Sequence, residues 1–293
     1  MYEINPNHLR KKACDQHEGG VVWRSPEFTT CSARTRRGQR MPPPAIQSAP
    51  FSVFSRMQGI PLPAWSGKKP HQWARHICST LQGLPGVSHT ALTRSALRAL
   101  WLNPQITTEV CVLSTMAWGG MKTNHGQEFW KAKAHWLPLC DEVRQGKHTR
   151  RSAFDAFSTL KASGKLPCMG PAYFTKIIFF ADPKADGYIL DQWTARSVHL
   201  LTGQWHWPSV ETDYTTKKKA INDPNQLRVR VVDKVTGADY EDFCLLVEDV
   251  GLRLGIHPHQ AEEQLFSNGG KKAHPWRAHV MGAWRHQSPV FYS

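Results

Sequence analysis

Residues 151–203 read RSAFDAFSTLKASGKLPCMGPAYFTKIIFFADPKADGYILDQWTARSVHLLTG, and the punctuation of this stretch decides the fold. A first helix is expected over about 151–162. Leu166-Pro167-Cys168-Met169-Gly170 makes a tight turn, and Pro171 opens a second helix over 171–181. Proline suits the first helical position because the N–H it lacks would find no intrahelical acceptor there. Within 171–181 only Thr175 and Lys176 are clearly polar, so this helix belongs between neighbours on nearly every side. A Pro/Gly loop follows, then Ile189-Leu190-Asp191 and a third helix over 191–202.

The pattern on either side is also helical. Trp73, Ile77, Leu81 and Leu84 share one helical face that stops at Pro85-Gly86. A helix over 88–101 opens with polar Ser88 and repeats Ala91/Leu92, Ala96 and Leu100. The mostly apolar run 106–118 breaks into Gly119-Gly120-Met121-Lys122-Thr123-Asn124-His125-Gly126, read as a loop. Further helices are expected over 127–145, 238–254 and 258–267. A short strand is expected at 228–232, in an insertion after Trp205-His206-Trp207. The class is mainly α, with helices joined by short turns and no internal repeat. Residues 1–65 hold eight prolines, Pro42-Pro43-Pro44 among them, and clustered arginines, which reads as an irregular arm. The helical domain is expected over 66–293, with its hairpin at 151–181 and its aspartate helix at 191–202.

Composition narrows the partners. The 293 residues carry 37 Lys+Arg against 23 Asp+Glu, a formal net charge of +14. Residues 28–108 contain no Asp or Glu but ten basic residues, from Arg34, Arg36, Arg37 and Arg40 to Arg94 and Arg98. Such a stretch draws phosphates and releases their counterions, favouring a polyanion. The plain alternative is a solvated basic face or a flexible basic arm. Twelve tryptophans offer surfaces for stacking bases, although most aromatics fill cores. No apolar run approaches the ~20 residues of a membrane helix. Seven scattered cysteines form no C-x-x-C pair, which speaks against a disulfide framework or zinc knuckle. Met1-Tyr-Glu-Ile-Asn has no signal-peptide pattern. The reading is a reduced, cytoplasmic monomer with no cofactor and no membrane partner. Walker, G-x-S-x-G and H-E-x-x-H motifs are absent, and His257 and His259 lack cysteine partners at metal spacing.

The 151–203 arrangement resembles the helix-hairpin-helix DNA glycosylase superfamily, in its 8-oxoguanine DNA glycosylase-like branch. The signature of that branch is a Leu-Pro-Gly-x-Gly turn, a helix, and an aspartate opening a later helix. Leu166, Pro167, Gly170 and the 21-residue step from Gly170 to Asp191 (191 − 170) match it. Residues 113–120 (LSTMAWGG) resemble the family's helix-to-loop element, and 262–266 its C-terminal helical part. The likeness covers roughly 75–267. It implies a nucleoid-associated enzyme that flips a base out of double-stranded DNA and cuts its N-glycosidic bond. It implies phosphate binding by Gly170 and the amides of Ala172 and Tyr173. It also implies duplex contacts from Gly119, Gly120, Lys122, Asn124 and His125, with Met121, Asn124 or His125 as the wedge. The plain reading of that loop is an ordinary surface turn. The four-cysteine iron–sulfur cluster of some hairpin glycosylases is ruled out, since no cysteine follows Cys244. The most metal this reading admits is a loosely held monovalent ion at the hairpin.

Two positions depart from the signature. Cys168 replaces the first glycine, where a positive φ is costly for a side chain. Ala172 stands where bifunctional members carry the nucleophilic lysine, and Lys176 follows one turn later on the same face. Three readings stay open: Lys176 attacks C1′ from a shifted position, water attacks and the enzyme is monofunctional, or Lys176 only reaches for solvent. Asp191 reads either as an ordinary helix cap or as the carboxylate that stabilises the charged sugar. The competing functions are a non-catalytic hairpin DNA binder and a glycosidase for an unusual base or nucleotide. The family's presence in bacterial anti-phage operons makes antiviral defence one biological role the resemblance implies.

Overall fold

The computed structural model describes residues 44–62, 65–205, 207–212, 229–267 and 273–287. The helices are α1 (Ser48–Arg56), α2 (Pro70–Ile77), α3 (Arg94–Leu102), α4 (Thr108–Trp118), α5 (Thr123–Lys131) and α6 (Lys133–Arg144). They continue with α7 (Arg150–Ala162), α8 (Pro171–Ala181), α9 (Gln192–Thr202), α10 (Gly237–Leu254), α11 (Pro258–Phe266) and α12 (Pro275–Gln287). Short polar residues set several starts: Thr107, Thr149, Asp191 and Thr236 each cap a helix by accepting a backbone N–H. Strands β1 (Val210–Thr212) and β2 (Val229–Val231) pair antiparallel, with Val210 opposite Val231.

The apolar helix α8 sits at the centre, packed by α3, α4, α6 and α7. Its residues from Phe174 to Ala181 are all buried. Phe174 meets Phe154 edge-on at 4.8 Å and stacks on Phe157 at 5.5 Å, joining α7 to α8. The loop between α8 and α9 is pinned from α10: the Tyr240 hydroxyl donates to the Tyr188 carbonyl at 2.8 Å and accepts its N–H at 3.1 Å. Arg150 ties the same loop by donating to the Asp186 carbonyl while pairing with Glu241 and Glu248. These ties fix where Asp191 emerges. On its far side α9 packs on α11 and α12.

The expected mainly helical class is the observed one, with differences in detail. The single helix expected over 127–145 is two, broken at Ala132. The helix expected over 88–101 starts at Arg94, behind its Thr93 cap. The helix expected through Leu84 ends at Ile77 and passes into a 3-10 turn, Ser79–Gly83. The arm expected to be irregular over 1–65 contains α1, which buries Phe54 against Trp276 of α12 at 4.7 Å. Residues 1–43 of that arm lie outside the described residues, as does the middle of the insertion. Helix α12 was not foreseen as an element.

Candidate active site

The hairpin forms as the turn chemistry dictates. Pro171 opens α8, and Cys168 takes φ 58°, the left-handed conformation that glycine adopts without cost. Gly170 is ordinary extended backbone, at φ −118°. A Cβ there would stand in ordinary contact with Asp233 Oδ1, at 3.4 Å. Asp233 pairs with Lys161 of α7 at 3.5 Å. The cradle expected for a phosphate thus has a carboxylate beside it. The Tyr173 N–H already donates to the Gly170 carbonyl at 2.9 Å, leaving the Ala172 amide as the one without an intrahelical acceptor.

Helices α8 and α9 meet at a cavity of about 200 Å³. Lys176 and Asp191 both line it, with Trp118 and Gly119 from the end of α4, Arg94 from α3 and Glu262 and Phe266 from α11. Trp65 and Trp193 complete its aromatic walls. Lys176 and Asp191 are each 8% exposed and Glu262 1%, so all three are held out of bulk solvent. Lys176 donates back to the Ala172 carbonyl one turn earlier. Burial pushes its ammonium pKa down, while Asp191 and Glu262 hold it up and Arg94 adds to the depression. The Lys176 stem lies over Gly119, where a Cβ would stand 3.1 Å from its Cδ. Gly119 is therefore the floor beneath the lysine.

Asp191 caps α9. Its Oδ1 accepts the N–H groups of Trp193 at 2.7 Å and Thr194 at 3.2 Å, and its own N–H donates to Thr194 Oγ1 at 2.9 Å. It is a helix cap and a cavity wall at once, because both amides use one oxygen. Behind it Trp193 is clasped by two guanidiniums, Arg277 at 3.7 Å and Arg196 at 4.6 Å. Burial lowers the pKa of Arg277 to about 10, with Asp191 opposing that shift. Glu262 pairs with Arg94, whose guanidinium also lies 4.3 Å above the Phe179 ring. Burial pushes the Glu262 carboxyl up to about 7, against the pull of Arg94.

The loop expected over 118–126 is shorter than its glycines suggested. Helix α5 begins at Thr123, so Asn124 and His125 belong to its first turn. Met121 is fully buried and its carbonyl accepts from Lys68 at 2.7 Å and Trp73 at 3.0 Å, which removes it as a wedge. Gly120, Lys122 and Asn124 are exposed and His125 partly so. Gly119 reaches the cavity wall, and none of these four lines the cavity.

Sequence reasoning missed Arg94, Trp65, Trp193 and Arg277 as site residues and took Glu262 only as part of a helix. One signal was present: Glu262 falls in the buried phase of α11 with Ala261 and Leu265, where an ionisable side chain is out of place.

The α7–α8 hairpin followed by the aspartate-capped α9, with Lys176 and Asp191 lining one cavity, is the arrangement expected of a helix-hairpin-helix DNA glycosylase fold. Residues 62–266 match the family model described as "Putative 8-oxoguanine DNA glycosylase OGG-like protein", and the chain belongs to that family. No curated protein and no solved structure matched the chain. Membership in a DNA glycosylase family carries DNA binding with it. Among the described residues no helix is long and apolar enough to cross a membrane.

Proposed function

We propose that this chain flips a modified purine of the 8-oxoguanine type out of double-stranded DNA and breaks its N-glycosidic bond, with Asp191 and Lys176 as the reacting pair. The observation that carries this reading is that both side chains line one cavity with aromatic walls. Extruding the base costs a few kcal/mol, which stacking on Trp118 or Phe266 offsets. The Arg94–Glu262 pair offers donors and an acceptor to the polar edge of the base. As the base leaves with the bonding electron pair, positive charge grows on the sugar. The Asp191 carboxylate at the start of α9 stabilises that charge. The Lys176 amine, uncharged, adds to C1′. Opening of the sugar ring then gives an iminium, from which β-elimination cuts the strand.

A panel of duplexes, each with one modified base and resolved with and without alkali, tests this. The expected result is release from the 8-oxoguanine-type duplex, strand cleavage without alkali, and a borohydride-trapped adduct that Lys176→Gln abolishes. Cleavage only after alkali, with no adduct, leaves water as the nucleophile. No release from any duplex overturns the enzymatic reading and leaves a hairpin DNA binder.

A further inference from the structure

Helix α11 places a carboxyl in the cavity that the reaction above does not use as an acid or base. Glu262 is 1% exposed, pairs with Arg94, and lines the same cavity of about 200 Å³ as Lys176 and Asp191. We infer that Glu262 is the general base that takes the proton from Lys176 and the general acid that returns it to the departing hydroxyl. The inference rests on Lys176 being the attacking amine.

The steps balance at an abasic site, whose C1′ is an aldehyde carbon. Glu262 removes one proton from the Lys176 ammonium, leaving a neutral amine and a neutral carboxyl. The nitrogen lone pair adds to C1′, and transfer of an N–H proton to the new oxyanion gives a carbinolamine. The Glu262 carboxyl then protonates that hydroxyl, which leaves as water while the nitrogen lone pair forms the C=N bond. The iminium carries the positive charge, and Glu262 is again a carboxylate.

The surroundings suit the exchange. Lys176 is faced by Asp191, Glu262 and Arg94; Glu262 by Arg94, Asp191 and Glu263. Burial drives the lysine down and the glutamate up to about 7, so the proton moves between groups of converging affinity.

The test uses preformed abasic duplex, which holds no base for Glu262 to read. Borohydride trapping is timed for wild type and Glu262→Gln between pH 5.5 and 9.5, with thermal unfolding of each protein. Wild-type trapping should rise through about pH 7. Glu262→Gln should slow it roughly 10²-fold near pH 8, where Glu262 is ionised, with the loss shrinking above pH 9 as solvent deprotonates the lysine. Should Glu262→Gln unfold, Glu262→Gln with Arg94→Met removes the stranded cation and carries the same comparison. Equal trapping by variant and wild type at every pH overturns the role of Glu262 while leaving Lys176 as the nucleophile. A loss of the same size at every pH marks a structural role and also overturns it. Absence of wild-type trapping overturns the nucleophile itself, and this inference with it.

Discussion

Cys168 and Asp191 show how single residues meet two demands. Cys168 holds a left-handed φ of 58° while exposed, a conformation that costs a side chain about 1–2 kcal/mol. Glycine would remove that strain but widen the unfolded ensemble by about 0.5–1 kcal/mol. Cys168→Gly should therefore raise stability by about 1 kcal/mol or less in urea unfolding, without loss of the hairpin. A destabilised variant would mean that the thiol makes contacts that outweigh the strain. Asp191 caps α9 through one oxygen, and the sequence carried that much by its place before a helix and its step from Gly170. What the sequence could not carry is the company it keeps. Arg94 and Glu262 stand 168 residues apart along the chain and meet only through packing.

At the scale of elements, legibility followed local chemistry. Pro171 and Asp191 announced the starts of α8 and α9, and both helices end close to where their apolar runs end. The first turn of α5 was read as loop because Lys122 before it makes no side-chain cap and glycines stand on either side. Helix α12 went unseen because, among its described side chains, it buries few: Trp276, Arg277 and Val280. Yet α12 secures the site from behind. Trp276 is fully buried against Phe54 and donates to Ser197 Oγ of α9 at 3.0 Å, and that hydroxyl donates to the Leu265 carbonyl of α11 at 2.7 Å. Trp276→Ala should cost about 3–5 kcal/mol in chemical denaturation. A loss under 1 kcal/mol would show that α12 does not hold α9.

Across the whole molecule, the helices that form the cavity come from three distant parts of the chain. Helix α4 brings Trp118 with Gly119 just after it, α8 and α9 bring the lysine and the aspartate, and α11 brings the glutamate. The hairpin was read from turn residues and the fold class from periodicity, because both are local. The cavity was not, because its polar half assembles through α3 and α11. The anion cradle at the hairpin is qualified by Asp233, whose approach to Gly170 no local pattern signalled. The central claim is that Asp191 stabilises charge on a sugar whose base lies in this cavity. Single-turnover base release from an 8-oxoguanine-type duplex, compared between wild type and Asp191→Asn, tests it most directly. Asparagine still caps helices well, so the variant should unfold within about 1 kcal/mol of wild type. Its release rate should nonetheless fall roughly 10²–10³-fold. A folded Asp191→Asn protein releasing base at the wild-type rate would contradict the account.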